Sequence, residues 1–421
     1  MSNNTETDFV KLIHDATKPN NKLSIDTNGK LCVKKTSIFR SLFPKKKLII
    51  ENLNHNNKEI CTALKKMYYS ENNSDVEASL KFQKQINKIT GKKLATLDFI
   101  TEITKSWMTD LPDSTKKLKL NELTLIGTHD SGAYQLAKNV KDKSFIGRLT
   151  AFILSIPIVK SVIENVALTQ NKSIHQQLNA GVRQLDLRLA VGEDNQIYIS
   201  HTFKTVQLEE ALKEIKDFMD KNPKEIVVIN VKPDYPHRKG FDVSDNIIKT
   251  QELFKTHFSQ MILSPDQEMG TVGEMQETGK RVVLYANDVL RREQPNQDNA
   301  IFRTGDNEVW PETPNIDKVI GKIKEYYQKK EEKKEKYEYE YISFNSTPDV
   351  GATVKNILTN NTLQDSGKKI QKSKLAELGD TIEKHKPAAV MFDAPKKSTV
   401  QWLIRENNKR SSEKNNTGKS I

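Results

Sequence analysis

The chain has 421 residues, with 67 lysines and arginines against 55 aspartates and glutamates, a net charge of +12, and two cysteines. Cys32 and Cys61 cannot build a disulfide framework, and no CxxC pair suggests a zinc site. The positive excess suits a polyanionic partner, whether nucleic acid, an anionic membrane surface or a phosphorylated substrate, and composition alone does not choose among them.

The first residues, Met1 to Asp8, are polar and acidic, so no signal peptide is visible. The longest nearly continuous apolar run, Ala151–Val159, falls far short of the ~20 residues that a membrane span needs. The expectation is a soluble protein, cytoplasmic or exported by a signal-independent route, that acts at membrane surfaces. Residues 1–110 read as a mainly helical extension, with apolar spacing at Ile60, Leu64 and Met67, and carry no pattern that indicates chemistry.

From Leu123 the texture changes. Short β-branched runs recur: LTLIGT (123–128), VRQLDLRL (182–189), IYIS (197–200), EIVVINV (225–231), RVVLY (281–285), YISF (341–344) and AVMF (389–392). Helix-length amphipathic segments lie between several of them, notably 208–222 and 318–338. Strands alternating with helices predict βα units around a parallel sheet, here a closed or distorted β/α (TIM-type) barrel over 111–405. A disordered basic tail is expected for 406–421.

Titratable residues collect where these strands end. His129 and Asp130 follow LTLIGT; Asp186 and Arg188 lie two apart on one strand face; His201, Lys232 and Asp393 end three further runs. Barrel enzymes assemble their active sites at strand C-terminal ends. Any one of these residues alone is more often structural, but their joint placement favours a site. Two imidazoles, carboxylates to orient them and a planar guanidinium suit acid–base chemistry on a phosphate ester.

At these residues the chain resembles the catalytic X-domain of phosphatidylinositol-specific phospholipase C, most closely the bacterial branch. LIGTHDSG (125–132), QQLNAGVRQLDLR (176–188), the strand ending in His201 and the strand ending in Lys232 carry the resemblance in that order. It implies that His129 is the general base for an inositol 2-hydroxyl and His201 the general acid for the leaving glycerol oxygen, partnered by Asp130. Asp393 resembles the late-strand carboxylate that supports the base. Arg188 would bind phosphate, Asp186 would orient Arg188, and Lys232 would line the inositol pocket. Tyr285, Asp288 and Asn345 are further pocket candidates.

The resemblance also bears on the cofactor. Calcium-dependent relatives place carboxylates where this sequence has Arg188 and Lys232, so the expectation is a metal-independent enzyme with no cofactor. The sequence departs from the family at Thr202, where a glycine is usual, and after Tyr285, where Ala286-Asn287-Asp288 lacks an arginine often found there. An enlarged segment before Gln176 contains the apolar stretch 145–168, and Phe145, Phe152, Ile153, Ile156 and Ile158 are candidate membrane-contact residues, against the alternative of an ordinary buried helix. The expected partner is a phosphatidylinositol-type lipid at a peripheral membrane surface; no nucleic-acid motif is present, and a monomer is favoured. Two other readings stand beside this one: a catalytically silent phosphoinositide-binding module, and a metal-dependent glycerophosphodiester-type phosphodiesterase.

Overall fold

The computed structural model describes short stretches of residues 10–82 (10–11, 13–15, 21–25, 31–35, 67, 74–75, 77–79 and 81–82), and then residues 104–137, 164, 167–192, 194–201, 203–234, 243–286, 300–347 and 361–417. The chain divides into two compact units, Met1–Pro112 and Asp113–Ile421. In the first, β1 (Asn21–Ile25) and β2 (Leu31–Lys35) form an antiparallel hairpin with Leu23 opposite Val33. The helical spacing read in this extension did not foreshadow the hairpin. Its strands are short, and only their pairing distinguishes them from loop.

The second unit holds a nine-stranded sheet. Its parallel strands are β3 (Leu125–Thr128), β4 (Gln184–Val191), β7 (Val227–Pro233), β8 (Val282–Ala286), β9 (Asp306–Val309), β10 (Tyr339–Ser343) and β11 (Ala389–Phe392). Neighbours run β8-β7-β4-β3-β11-β10-β9, every pair parallel. The two ends meet: Arg303, just ahead of β9, bridges Tyr285 of β8 in parallel, and its N–H donates to Leu284 O at 2.7 Å. The sheet therefore curls into a β/α barrel whose last seam is one isolated bridge rather than a ladder, which is the distorted form of the expected barrel.

Two strands depart from the βα reading. β5 (Ile197–His201) and β6 (Phe203–Gln207) pair antiparallel, with β5 returning along the extended end of β4 from Val191↔Ile197 to Leu189↔Ile199. IYIS is thus one arm of a hairpin and not a member of the parallel ring. β9 was missing from the sequence reading because its residues, Asp306-Asn307-Glu308-Val309, carry only one apolar side chain.

Helices cover the ring. α1 (Ile174–Asn179) starts at a capping box in which Ser173 accepts from the Gln176 N–H and Gln176 reaches back to the Ser173 N–H. α2 (Leu208–Lys221) buries Leu208, Ala211, Leu212, Ile215, Phe218 and Met219, the i, i+3, i+4, i+7 stripe of an amphipathic helix. Each such side chain contributes roughly 1.5–3 kcal/mol on burial. α3 (Val243–Phe258), α4 (Val272–Thr278), α5 (Val319–Lys333), α6 (Leu363–His385) and α7 (Lys397–Thr417) complete the layer.

The expected disordered tail is instead the second half of α7. Asn407 is fully buried, accepts the Thr124 N–H at 2.7 Å and donates to Thr124 O at 2.9 Å, closing the N-terminal end of β3. Arg410 adds bonds to Glu122 O and Thr124 Oγ1. A polar helix face reads as solvated tail until the backbone groups that it satisfies are known.

Candidate active site

Sheet register carries the strand-end side chains to one mouth. Gly127 lies opposite both Gln184 and Met391, so His129, two residues on, projects between Asp186 and Asp393. A Cβ on Gly127 would lie 2.8 Å from Met391 Cγ, so only glycine lets β3 approach its neighbours this closely. Arg188 of β4 pairs with Lys232 of β7. His201 arrives from the opposite direction: the β4–β5 hairpin folds back and its last residue turns over the mouth.

The two histidines share one carboxylate. Asp130 Oδ2 lies 3.2 Å from His129 Nε2 and 3.5 Å from His201 Nε2, and the imidazole centroids are 6.3 Å apart at 73°. Asp393 Oδ1 lies 3.1 Å from His129 Nδ1, so that nitrogen carries the hydrogen and Nε2 presents its lone pair. On His201, Nδ1–H donates to Ala167 O at 2.8 Å, which turns Nε2 toward Asp130. Burial opposes charging His129, but the Asp130 charge and the Asp393 hydrogen bond outweigh it, and the His129 pKa lies above its ordinary value despite Arg188 nearby.

Arg188 is the central cation. Its Nε lies 2.6 Å from Asp130 Oδ1 and 3.4 Å from Asp186 Oδ2, and its Nη2 donates to His129 Nε2 at 2.8 Å. Asp186 also accepts the Asp130 N–H at 3.1 Å, while its Oδ1 faces Lys232 Nζ at 3.1 Å. Lys232 in turn meets Glu308 Oε2 at 2.8 Å, and Ser343 Oγ donates to the other oxygen of Glu308. Burial alone would raise the carboxyl pKa values. The cations win: Lys232 and Arg188 hold Asp186 well below the usual range, Arg188 and the two imidazoles hold Asp130 low, and Lys232 lowers Glu308. Reciprocally, Asp130 and Asp186 raise the Arg188 pKa against its burial, and Asp186 and Glu308 raise that of Lys232. Arg188 and His201 keep 19% and 20% of their side chains exposed, so the cluster is reached from the mouth.

Two backbones turn sharply here. Asp130, after His129, has φ 46°, and Ala394, after Asp393, has φ 41°. Left-handed conformations at non-glycine residues cost on the order of 1–3 kcal/mol each and persist where surrounding contacts hold them.

The other candidates separate. Tyr285 is fully buried and donates to Glu338, ahead of β10, while its ring stacks on Tyr339 at 5.1 Å. Its hydroxyl and ring are thus engaged by Glu338 and Tyr339, and among the described residues it has no hydrogen bond to the histidine cluster. The register puts it level with Asn230, a full alternation below Lys232. Asn345 lies two residues past β10, is 2% exposed, and its Oδ1 has no hydrogen-bond partner among the described residues. Asp288, Phe145, Phe152, Ile153, Ile156 and Ile158 lie outside the described residues. No helix among the described residues is long and apolar enough to cross a membrane.

Glu308 was missed because its strand was missed. Gln170 was missed because an isolated glutamine in a loop carries no sequence signal. Its Nε2 donates to His129 O at 2.8 Å and Phe392 O at 3.1 Å, and its Oε1 accepts the Ala394 N–H at 3.2 Å.

A divalent metal fits this donor set poorly. His129, Asp130 and Asp186 offer ligand atoms within 4.8 Å of one another, yet both carboxylates already face Arg188, and Asp186 also faces Lys232. Calcium requires six to eight oxygen ligands, while one of these three donors is an imidazole nitrogen.

Residues 161–287 match the family model for the phosphatidylinositol-specific phospholipase C X domain. This segment of the chain is similar to that X domain. Asp186, Arg188, His201 and Lys232 fall within the matched X-domain segment, whereas His129 precedes it and Asp393 follows it. Human PI-PLC X domain-containing protein 2 is 30% identical over 158 residues, covering 35% of this chain and 49% of that protein. The 1-phosphatidylinositol phosphodiesterase of Listeria monocytogenes is 34% identical over 140 residues, covering 33% and 36%. The chain thus spans less than half the length of these relatives. Among solved structures, the phosphatidylinositol-specific phospholipase C from Listeria monocytogenes is similar with a TM-score of 0.44 at 20% identity, covering 72% of this chain and 98% of that one. X-domain relatives therefore include both a bacterial phosphodiesterase and animal proteins, so the bacterial branch is not singled out.

Proposed function

We propose that the protein is a phosphatidylinositol-cleaving phospholipase C that works without a metal ion. The observation that carries the reading is the pair of imidazoles flanking Asp130, with Arg188 hydrogen-bonded to His129 and ion-paired with the neighbouring carboxylates. Binding alone would not require two oriented acid–base groups whose rings lie 6.3 Å apart.

In this reading His129 Nε2 takes the proton of the inositol 2-hydroxyl. The freed oxygen attacks phosphorus, the bond from phosphorus to the glycerol oxygen breaks, and His201 Nε2 gives that oxygen a proton. The products are an inositol 1,2-cyclic phosphate and diacylglycerol. Because nucleophile and phosphorus belong to one molecule, holding the headgroup supplies much of the acceleration. Arg188 now occupies His129 Nε2. An arriving phosphate, with oxygens better matched to a guanidinium, would draw Nη2 away and free the lone pair. Arg188 and Lys232 would neutralise the developing charge in place of a divalent cation. The unpartnered Asn345 Oδ1 and the Lys232–Glu308 pair are suited to headgroup hydroxyls. A lipid substrate implies contact with a membrane surface, in line with the apolar stretch 145–168.

Phosphorus NMR of the products from phosphatidylinositol vesicles tests the proposal. A cyclic inositol phosphate resonance is expected; a linear phosphate alone would point to another phosphodiesterase, and unchanged lipid to a binding module.

A further inference from the structure

The segment ahead of α1 touches the imidazole of His201 and the backbone of His129 at once. Ala167 O receives His201 Nδ1–H at 2.8 Å, and three residues later Gln170 grips the backbone of His129 and both residues flanking Asp393. Between them, Thr169 Oγ1 donates toward His129 O and Asp130 O, each at 3.2 Å. The loop is itself anchored. Gln170 N–H donates to Ala133 O at 3.0 Å, and Gln364, in the first turn of α6, donates to Gln170 O at 2.9 Å.

We infer that Ala167–Gln170 is a positioning segment that sets the separation and tautomers of the two histidines, with Gln170 its principal member; this rests on the phospholipase reading above. The physical need is local. β3 and β11 both end in left-handed turns, at Asp130 and Ala394, and among the described residues the last backbone bond between them is His129 N–H to Phe392 O at 3.2 Å, ahead of both turns. Gln170 supplies the missing rungs: one amide donates to a carbonyl on each strand and accepts from the residue after Asp393. Thr169 and Gln170 are buried at 1% exposure, so water does not compete for these bonds. Ala167 contributes its backbone carbonyl. Supporting groups of this kind determine whether a site is held to the tolerance that proton transfer needs.

The test uses the full chain and two variants. Gln170→Met keeps the volume but removes all three bonds. It is expected to lower kcat on phosphatidylinositol vesicles about a hundredfold, the scale of a ~1 Å misplacement, with KM little changed. Nitrogen-15 NMR of the imidazoles without substrate should show His129 passing from one Nδ1–H tautomer to a mixture. Gln364→Ala, at a half-buried position, should shift both readouts in the same direction by a smaller amount. Wild-type tautomer and kcat in a folded Gln170→Met protein would overturn the inference; should that variant not fold, unchanged readouts in Gln364→Ala would do so. If the wild type fails to cleave phosphatidylinositol, the phospholipase reading fails, while the tautomer measurement still decides the positioning role.

Discussion

Arg188 Nη2 lies 2.8 Å from His129 Nε2, so the guanidinium covers the lone pair that an acid–base mechanism needs. The same guanidinium is held from behind by Asp130 and Asp186. In the proposed reaction, phosphate binding and base activation are one event: a substrate that attracts Arg188 also uncovers His129.

Removing the base tests the centre of this arrangement. His129→Ala should lower kcat by roughly 10²–10⁴-fold or more, the range for loss of general base catalysis, with an unchanged circular dichroism spectrum. In the wild type, Asp130 and Asp393 raise the His129 pKa over the opposing effect of burial. The base must be neutral, so kcat/KM should fall with decreasing pH through a value above the ordinary ~6.5. A pH–rate profile with its acid limb below 6 would contradict the assignment.

Excess chelator should leave the activity intact, because fixed cations stand where a metal would neutralise the phosphate. Arg188→Lys keeps one charge but loses the planar fork that reaches Asp130, Asp186 and His129 together, and should cost at least tenfold in kcat. Loss of wild-type activity on chelation, restored by calcium, would overturn this expectation.

Asp186 is a stability determinant as well as an orienting group. It is fully buried against Lys232 and Arg188. Asp186→Asn leaves those cations under-compensated and should destabilise the barrel by about 3–5 kcal/mol. The sign with pH follows from its depressed pKa, in which Lys232 and Arg188 overcome desolvation. The contribution is fully present above the unfolded value of ~3.9 and is lost as pH falls through the folded value. Thermal melts of wild type and variant should therefore converge only in strong acid.

Gly367 on α6 lets the helix lie against the strand end that carries Asp393. A Cβ there would sit 2.6 Å from both Asp393 Cβ and Asp393 O. Gly367→Ala should push Asp393 off His129 Nδ1, lowering kcat, and cost about 1–3 kcal/mol of stability through overpacking despite the gain in helix propensity. Kinetics and melting on one preparation check both effects.

At the opposite end of β3, Asn407→Ala strands the Thr124 N–H and C=O. The expected loss is about 1–3 kcal/mol per unsatisfied group, with kcat unchanged at a temperature where the variant is folded. A truncation before Glu406 should be at least as damaging; normal melting of that truncation would show that the end of α7 is dispensable.

Much of the site was legible before any coordinates. His129, Asp186, Arg188, Lys232 and Asp393 end short apolar runs, and in a parallel barrel all strand ends open on one mouth, so position along the chain predicts position in space. The same logic placed His201 at the mouth, though for an incomplete reason, since its strand is antiparallel and reaches the mouth by folding back. Tyr285 stands at the register level of Asp186, yet its hydroxyl bonds Glu338 and its ring stacks on Tyr339. β9 was invisible because its inward residues are polar and salt-bridged, which removes the hydrophobic signal. The second half of α7 was read as tail because its anchoring groups are polar and bond to backbone.

The sequence by itself determined the chemistry available: two imidazoles, their carboxylates and two cations at strand ends, within a βα pattern. Only the tertiary structure decided that Asp130 faces both histidines, that Arg188 covers the base, and that Gln170 ties the ends of β3 and β11. Residue type and periodicity are local properties and survive in a linear string. Which oxygen faces which nitrogen depends on strand register, left-handed turns and a loop crossing the mouth, which join residues up to 264 positions apart, as in the His129–Asp393 bond. Such pairings become physical only when the ring closes.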